Sequence, residues 1–217
     1  MATPPPRTWV YFSSSDNVAI FGASQLPNEA KVSRYRVDSS NVLRGDAVAN
    51  FKPGAEIVRV CSNEPLDECA DRAPPLSGCT QHLHYTSDMQ RERLVAISAK
   101  EIPAAEKPVT VLIPIRKSDA WWSMGQNARA EFMNGAAAHR GHTAIGEEYA
   151  ALIFRQLLHA RYLDSSKKPY DFLTYFEFRD ADREWFKGLL NRLRDEAINP
   201  EWAFVEMEQE IWMRKME

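Results

Sequence analysis

The chain has 217 residues, of which 44% are hydrophobic, and its formal net charge is −3. This length fits one large domain or two small ones, and the hydrophobic fraction is enough for a packed core. The charge balance argues against a nucleic-acid partner, because nucleic acids select a basic protein face. No apolar run approaches the roughly 20 residues that a membrane-spanning helix needs, so no membrane partner is expected.

The N-terminal segment and the cysteines bear on the cellular compartment. The segment MATPPPRTWVYF lacks the basic start and apolar stretch of a secretory signal. The expected location is the cytoplasm, or the periplasm if a signal has been removed. Three cysteines, Cys61, Cys69 and Cys79, are an odd number, which argues against a full disulfide framework. Their spacings match no common zinc site, so we interpret them as loop cysteines, with one disulfide and a spare thiol as the alternative.

The first half of the chain is predicted to be rich in strands. Short segments with β-branched and aromatic residues alternate with turn-forming residues, a pattern typical of strands. The predicted strands are 8–12, 32–37, 56–61 and 94–99. Prolines make the segment 63–78 a predicted irregular excursion and 102–108 a predicted linker.

The second half alternates strands with helices. Residues 109–115 (VTVLIPI) predict a buried strand, and a long helical region is predicted from Ser118 to about Tyr162. Asn134-Gly135 and Gly141 interrupt this region, so two helices or one kinked helix are expected. The remaining predictions are a strand at 172–178, an amphipathic helix at 181–196 and a strand or strand pair at 204–213.

This order of elements is that of a ferredoxin-like α+β domain, in which helices cover one face of an antiparallel sheet. The first half is interpreted as a degraded copy of the second. The predicted domains are therefore 1–105 and 106–217. Two such half-covered sheets would bury their open faces against each other or against a second subunit.

The five histidines are candidate metal ligands. His82 and His84 would face the same way on a strand, but no third ligand accompanies them. His139, His142 and His159 lie in the predicted helical region. A lone helical histidine is more often a surface residue or a hydrogen-bonded core residue than a ligand, so residue type alone leaves all three open.

Arg155 lies at the edge of a predicted helical stripe formed by Ile145, Tyr149, Leu152, Gln156 and His159. A lone buried charge is costly, so this arginine needs a salt bridge, an exposed end, or an anion in a pocket. Thirteen helical residues separate it from His142 by about 20 Å, too far for direct contact. That separation fits a histidine below a metal and a guanidinium above it.

Trp121 and Trp122 are adjacent, and such a pair either packs in a core or surrounds a large apolar cofactor. Together with His142-Thr143, Arg155, His159 and the segment 172–177 (FLTYFE), this pair resembles the chlorite dismutase family of heme proteins. The matching set covers about residues 109–205. The compact chain is similar to the short-chain, dimeric branch of that family.

The resemblance implies two ferredoxin-like domains per subunit, a dimeric α+β barrel-like protein, and heme b, with its iron, in the C-terminal domain. His142 is then the iron ligand and Arg155 the catalytic arginine on the opposite side of the heme. Phe176 would lie on that opposite side too. Trp121, Trp122 and Leu157 would form the walls of the heme pocket.

In this family a lysine and a glutamate hydrogen-bond the ligating imidazole. Lys117 and Glu201 are the candidates, with Glu196 as a rival glutamate. The spacing from Trp122 to His142 is longer than the family pattern, which keeps His139 open as a second candidate ligand. The 13-residue offset to Arg155 favours His142.

The activity implied is a chlorite dismutase: chlorite binds as the small-molecule partner and leaves as chloride and dioxygen. The expected route passes through a ferryl species and hypochlorite, with Arg155 retaining hypochlorite until the O–O bond forms. The alternatives are a coproheme decarboxylase-like enzyme, a peroxidase-like enzyme and a non-catalytic heme sensor. The decarboxylases lack this arginine, so Arg155 favours chlorite chemistry. A homodimer is the expected assembly.

Overall fold

A single antiparallel sheet wraps into a closed barrel in the computed structural model, which describes residues 7–15, 29–66, 76–80, 88–136, 139–161 and 168–216. Around the barrel the order of strands is β1-β3-β2-β8-β5-β7-β6-β4. The strands in these ranges are β1 (Trp9–Ser14), β2 (Lys31–Arg44), β3 (Glu56–Ser62), β4 (Leu76–Cys79), β5 (Val109–Lys117), β6 (Phe154–His159), β7 (Phe172–Phe178) and β8 (Val205–Lys215).

Short helices connect these strands. They are α1 (Asp88–Ile97), α2 (Asp119–Ser123), α3 (Gln126–Asn134), α4 (Gly141–Glu147) and α5 (Arg183–Arg194), with 3-10 turns at Ala104–Glu106, Asp180–Asp182 and Pro200–Phe204. Within the described ranges, no helix is both long enough and apolar enough to cross a membrane.

The two halves of the chain repeat one strand order. In the first half the fourth strand lies beside the first, followed by the third and the second (β4-β1-β3-β2). In the second half the order is the same (β8-β5-β7-β6), and β2 pairs with β8 to join the halves. The two ferredoxin-like domains and their division at residue 105 stay predictions. The predicted α+β class with a barrel-like antiparallel sheet is confirmed.

Two hydrophobic cores lie on opposite sides of the barrel wall. All eight strands contribute to the first core, which therefore fills the barrel interior; Phe12, Tyr35, Leu112, Leu158, Tyr175 and Ile211 are among its members. The second core packs the outer face of β5 and β7 against α4 and α5; its members include Val111, Ile145, Phe176, Phe186 and Leu190. Side chains alternate between the two faces along each strand. Consecutive residues along β6, and likewise along β7, therefore face the barrel interior and the outer side in turn.

The predicted helix from Ser118 to Tyr162 is wrong in its last part. Three short helices are followed by strand β6, which carries Arg155. The apolar residues of this segment, Ile153, Phe154, Leu157 and Leu158, have helical spacing, and antiparallel pairing with β7 overrides it in favour of the strand. The helical rise of about 20 Å from His142 to Arg155 therefore does not apply.

The strand predicted at 94–99 is also wrong, because α1 covers Asp88–Ile97. The preceding Arg and Glu residues favour a helix, and they outweigh the short β-like run at its end. The other predicted strands and the helix at 181–196 are confirmed within a few residues at their ends, except that the strand predicted at 32–37 continues to Arg44.

The interpretation of the cysteines as loop residues is wrong for two of them. Cys61 lies in β3 and Cys79 in β4, both as free thiols, so the irregular segment predicted at 63–78 ends in a strand. Cys69, His82 and His84 lie outside the described residues. The predicted linker 102–108 contains the 3-10 turn.

Candidate active site

Three side chains from separate elements, one of them α4, meet in a single hydrogen-bonded cluster. The Nζ atom of Lys117, the last residue of β5, lies 2.6 Å from Oε1 of Glu201, which belongs to the 3-10 turn before β8. The other oxygen of Glu201, Oε2, lies 2.6 Å from Nδ1 of His142 at the start of α4. Lys117 and Glu201 are buried, and His142 is partly buried. We call this set the His142–Glu201–Lys117 triad.

Two glycines place His142 at the start of α4. Gly135 has φ 93° and Gly141 has φ 79°, values that favour glycine. Their backbones approach so closely that a Cβ atom on Gly141 would lie 2.2 Å from the nitrogen of Gly135. This close approach brings the chain from the end of α3 back to α4, with His142 immediately after the contact.

The electrostatics of the triad fix the protonation of its hydrogen bonds. Burial raises the pKa of Glu201, but the charge of Lys117 and the hydrogen bonds from Lys117 and His142 outweigh it and hold this pKa well below its usual range. Glu201 is therefore ionised and accepts hydrogen bonds only. His142 must donate from Nδ1, which leaves Nε2 as the nitrogen available to a metal.

Arg155 lies on the outer face of β6, opposite Phe176 of β7. Its side chain keeps accessible surface, yet desolvation by crowded protein atoms lowers its pKa, while Glu201 acts in the opposite direction. None of the described carboxylates forms an ion pair with it. A desolvated guanidinium without a partner is suited to binding an anion.

The aromatic candidates occupy different positions. Trp121 is buried against Phe132 and Phe204, with the Lys117 ammonium 4.9 Å from its ring centroid. Trp122 instead stacks on Phe172 at the edge of the outer face, with a centroid distance of 5.8 Å. The structure therefore separates the tryptophan pair: one ring packs beneath the triad and the other reaches the face that carries Arg155.

Leu157 and Phe176 lie on the same outer face as Arg155. Leu157 is half-buried and faces Thr174 across the strand pair. Phe176 is buried and packs edge-on against Phe186 of α5, with a centroid distance of 5.1 Å. The outer face of β6 and β7 thus brings together the predicted arginine, leucine and phenylalanine.

The rival assignments are less favourable in geometry. His139 stacks on Phe132 at 5.9 Å, and its Nδ1 is buried without a hydrogen-bond partner in the described part of the chain. Glu196 is exposed and pairs with Arg44 at 3.1 Å. His139 and Glu196 do not pair with each other as His142 and Glu201 do. The geometry favours His142 and Glu201, and the role of each site residue stays a prediction.

Asp171 is a residue that sequence reasoning missed. Its buried carboxylate accepts hydrogen bonds from the backbone of Lys117 and from the indole of Trp122. The one signal in the sequence was an acidic residue directly before the predicted strand 172–178. Nothing in that position indicates partners about 50 residues earlier in the chain.

The donor set fits a metal that is already held by a cofactor. Among the described residues, no group of three His, Cys, Asp or Glu side chains could hold a metal ion. The site instead offers one imidazole nitrogen, Nε2 of His142, with its other nitrogen tied to a carboxylate. A single oriented imidazole is the usual protein ligand of heme iron.

Fold and site together define an antiparallel α+β barrel with a carboxylate-bound histidine outside its wall. No family model matches the chain. Among solved structures, it is similar to a dimeric chlorite dismutase from Nitrobacter winogradskyi, with 26% identity, 94% of this chain and 98% of that chain covered, and a TM-score of 0.67. The predicted resemblance to the chlorite dismutase family is thereby confirmed.

Two further similar structures are those of chlorite dismutase from Candidatus Nitrospira defluvii. The complex with imidazole has 19% identity, covers 97% of this chain and 90% of that chain, and has a TM-score of 0.61. An arginine-to-glutamate variant has 17% identity, coverage of 97% and 91%, and a TM-score of 0.63. At this identity the two structures support the fold alone.

Proposed function

We propose that this chain is a heme b-dependent oxidoreductase that converts chlorite to chloride and dioxygen. The observation that carries the proposal is the His142–Glu201–Lys117 triad, which leaves Nε2 of His142 available, together with Arg155 on strand β6, which forms no ion pair with any described carboxylate. The near-complete coverage of the Nitrobacter chlorite dismutase supports the same activity.

His142 binds the heme iron through Nε2 in this proposal. Glu201 accepts the Nδ1 proton and so orients the imidazole and strengthens it as a donor. Lys117 keeps Glu201 ionised, since the buried carboxylate would otherwise favour its neutral form. Heme, when bound, would supply iron redox chemistry. Trp121, Trp122, Leu157 and Phe176 provide the apolar surroundings.

Arg155 binds the oxyanion. Its guanidinium has hydrogen-bond donors in a fixed plane and no competing carboxylate among the described residues, so chlorite can accept charge-assisted hydrogen bonds from it. Neighbouring protein atoms partly desolvate the guanidinium although its side chain is exposed, which strengthens those contacts. The same cation would also retain hypochlorite within the site. We further propose a homodimer, since the similar Nitrobacter protein is described as dimeric.

The test is to load the purified protein with heme and mix it with chlorite at an oxygen electrode. Rapid release of dioxygen, with chloride formed in equal amount, is the expected result. Stable heme binding without oxygen release would instead indicate a heme sensor or another heme enzyme. Failure to take up heme, monitored by the Soret band, would refute the proposal entirely.

A further inference from the structure

Asp171 connects four segments around the candidate site. Its Oδ2 atom accepts hydrogen bonds from the backbone N–H of Lys117 at 2.7 Å and from Nε1 of Trp122 at 3.1 Å. Its Oδ1 atom accepts one from Nη1 of Arg161 at 2.8 Å. The side chain is only 5% exposed, so these three donors compensate for the loss of water around a buried charge.

The backbone of Asp171 adds contacts to the same junction. Its N–H donates to the carbonyl of Ile115 on β5 at 2.8 Å. Its carbonyl accepts from the N–H groups of Ala160 and Arg161, which follow β6, at 2.9 and 3.3 Å. One residue therefore ties together the end of β5, the end of β6, the start of β7 and the helix α2.

The segments joined in this way carry the site. Lys117, held by its backbone, provides the ammonium of the triad. Trp122, held by its indole, also stacks on Phe172 and lies 4.1 Å below the Arg161 guanidinium, measured to its ring centroid. The Asp171 carboxylate thus fixes both Lys117, which belongs to the triad, and the indole of Trp122 at the edge of the outer face.

We propose that Asp171 is a positioning residue, which locks Trp122 and Lys117 in place and thereby sets how long the cofactor stays bound. The part that concerns the cofactor rests on the proposed function, whereas the locking of Trp122 does not. An ionised carboxylate is needed because all three contacts are donors. An asparagine of the same size would place an NH2 group against at least one of them.

The test compares Asp171→Asn with Asp119→Asn, in which the same change is made at an exposed residue of α2. In the heme-free protein, the indole N–H resonance of Trp122 is followed by NMR and assigned with Trp122→Phe. We expect Asp171→Asn to move this resonance upfield and to accelerate its exchange with solvent. In the heme-loaded protein, we expect heme transfer to an excess of apo-globin to become about tenfold faster, as for the loss of one hydrogen bond to a charged group.

Unchanged exchange of the Trp122 indole, or heme transfer no faster than in Asp119→Asn, would overturn the proposal. A lowered melting temperature without any change at Trp122 would do the same, because it would indicate a purely structural role. If Asp171→Asn does not fold, Arg161→Met removes one donor and leaves the aspartate in place. This variant should accelerate both the exchange of the Trp122 indole and heme transfer, and failure to do either would equally overturn the proposal.

The proposed function can fail separately. If the unmodified protein takes up no heme, heme catalysis is refuted, and the Trp122 resonance alone decides whether Asp171 locks the indole.

Discussion

Two arginines on different strands of the barrel wall differ in their partners: Arg59 is buried, whereas Arg155 is exposed. Arg59 of the N-terminal half points inward from β3, where it contacts Glu101, donates to Gln156 at 2.7 Å and lies 4.3 Å from the Tyr175 ring centroid. Arg155 of the C-terminal half points outward from β6 and has no such carboxylate among the described residues. The charge of Arg59 is therefore paired with a carboxylate, whereas the charge of Arg155 is available to an anion.

The pKa directions express this difference. Desolvation lowers the pKa of both arginines, but around Arg59 the neighbouring Tyr175, Tyr35, Cys61 and Glu101 outweigh it and raise the pKa well above its usual value. For Arg155 desolvation prevails over the charge of Glu201 and the pKa falls, although the side chain is exposed. An arginine thus indicates an anion site only where no described carboxylate pairs with it, and the halves differ in this respect although their strand order is the same.

The outer faces of the two halves differ in a similar way. On the N-terminal half, a small cluster of Tyr11, Val58 and Val60 is packed by Trp9, Ala30 and Leu66. On the C-terminal half, α4 and α5 cover the face and bring the triad beside it. Equal strand order therefore does not give equal function, and the helices that cover the sheet decide which half carries the site.

The change with the largest expected effect is His142→Ala. It removes the proposed ligand of the iron, so we expect the dissociation constant for heme to rise by about 100-fold or more, since even the hydrogen-bond partner of a metal ligand is worth roughly 10- to 100-fold. Heme titration followed at the Soret band measures it. His139→Ala is the control and should leave affinity nearly unchanged. Normal ligation in His142→Ala with loss in His139→Ala would transfer the ligand role to His139.

Arg155→Ala should have the next largest effect. Removing one preorganised donor to a reacting oxyanion typically lowers kcat by about 100-fold, and we expect a loss of that order. Hypochlorite leakage and heme bleaching should increase, as measured with a chlorination-sensitive dye and by Soret decay.

Its control is Arg34→Ala on β2, the second strand of the N-terminal half, where the arginine is exposed. That variant should keep full turnover. If Arg155→Ala and Arg34→Ala had equal turnover and equal heme lifetime, the proposed difference between the C-terminal and N-terminal halves would be wrong.

Glu201→Gln should weaken heme binding by roughly 10- to 100-fold, because the imidazole loses its ionised partner. The variant should also unfold more easily, since Lys117 would become a buried charge without a counter-ion, a loss of about 3 to 5 kcal/mol. Heme titration and urea unfolding measure the two effects. Glu196→Gln provides the control at an exposed, paired glutamate. If only Glu196→Gln affected heme binding, the rival assignment would be correct.

The sequence predicts the parts of this arrangement that depend on short spacings. Strand β7 follows from a short apolar and aromatic run, and helix α5 follows from helical periodicity. Strand β6 does not follow, because its apolar residues have helical spacing and only its pairing with β7 makes it a strand. The family resemblance named His142 and Glu201, whereas spacing alone could not, since 59 residues separate them in the chain.

Tyr175→Phe should have the smallest effect and sharpens the comparison between the two faces of the wall. The Tyr175 hydroxyl lies 3.1 Å from that of Tyr35 and donates to Oε2 of Glu177 at 3.2 Å, inside the barrel. Its loss should reduce the free energy of unfolding by about 1 to 3 kcal/mol, since a buried acceptor loses its donor. The heme transfer rate should stay unchanged, because Phe176, not Tyr175, faces the site.

The matched variant for this prediction is Tyr35→Phe, which removes the other hydroxyl of the pair. Because the two groups share one hydrogen bond, the double variant should lose less stability in urea unfolding than the sum of the single losses. Additive losses would mean that the hydroxyls act independently. Faster heme transfer in Tyr175→Phe would show that the barrel interior and the outer face are coupled through β7, contrary to the separation drawn between Arg59 and Arg155.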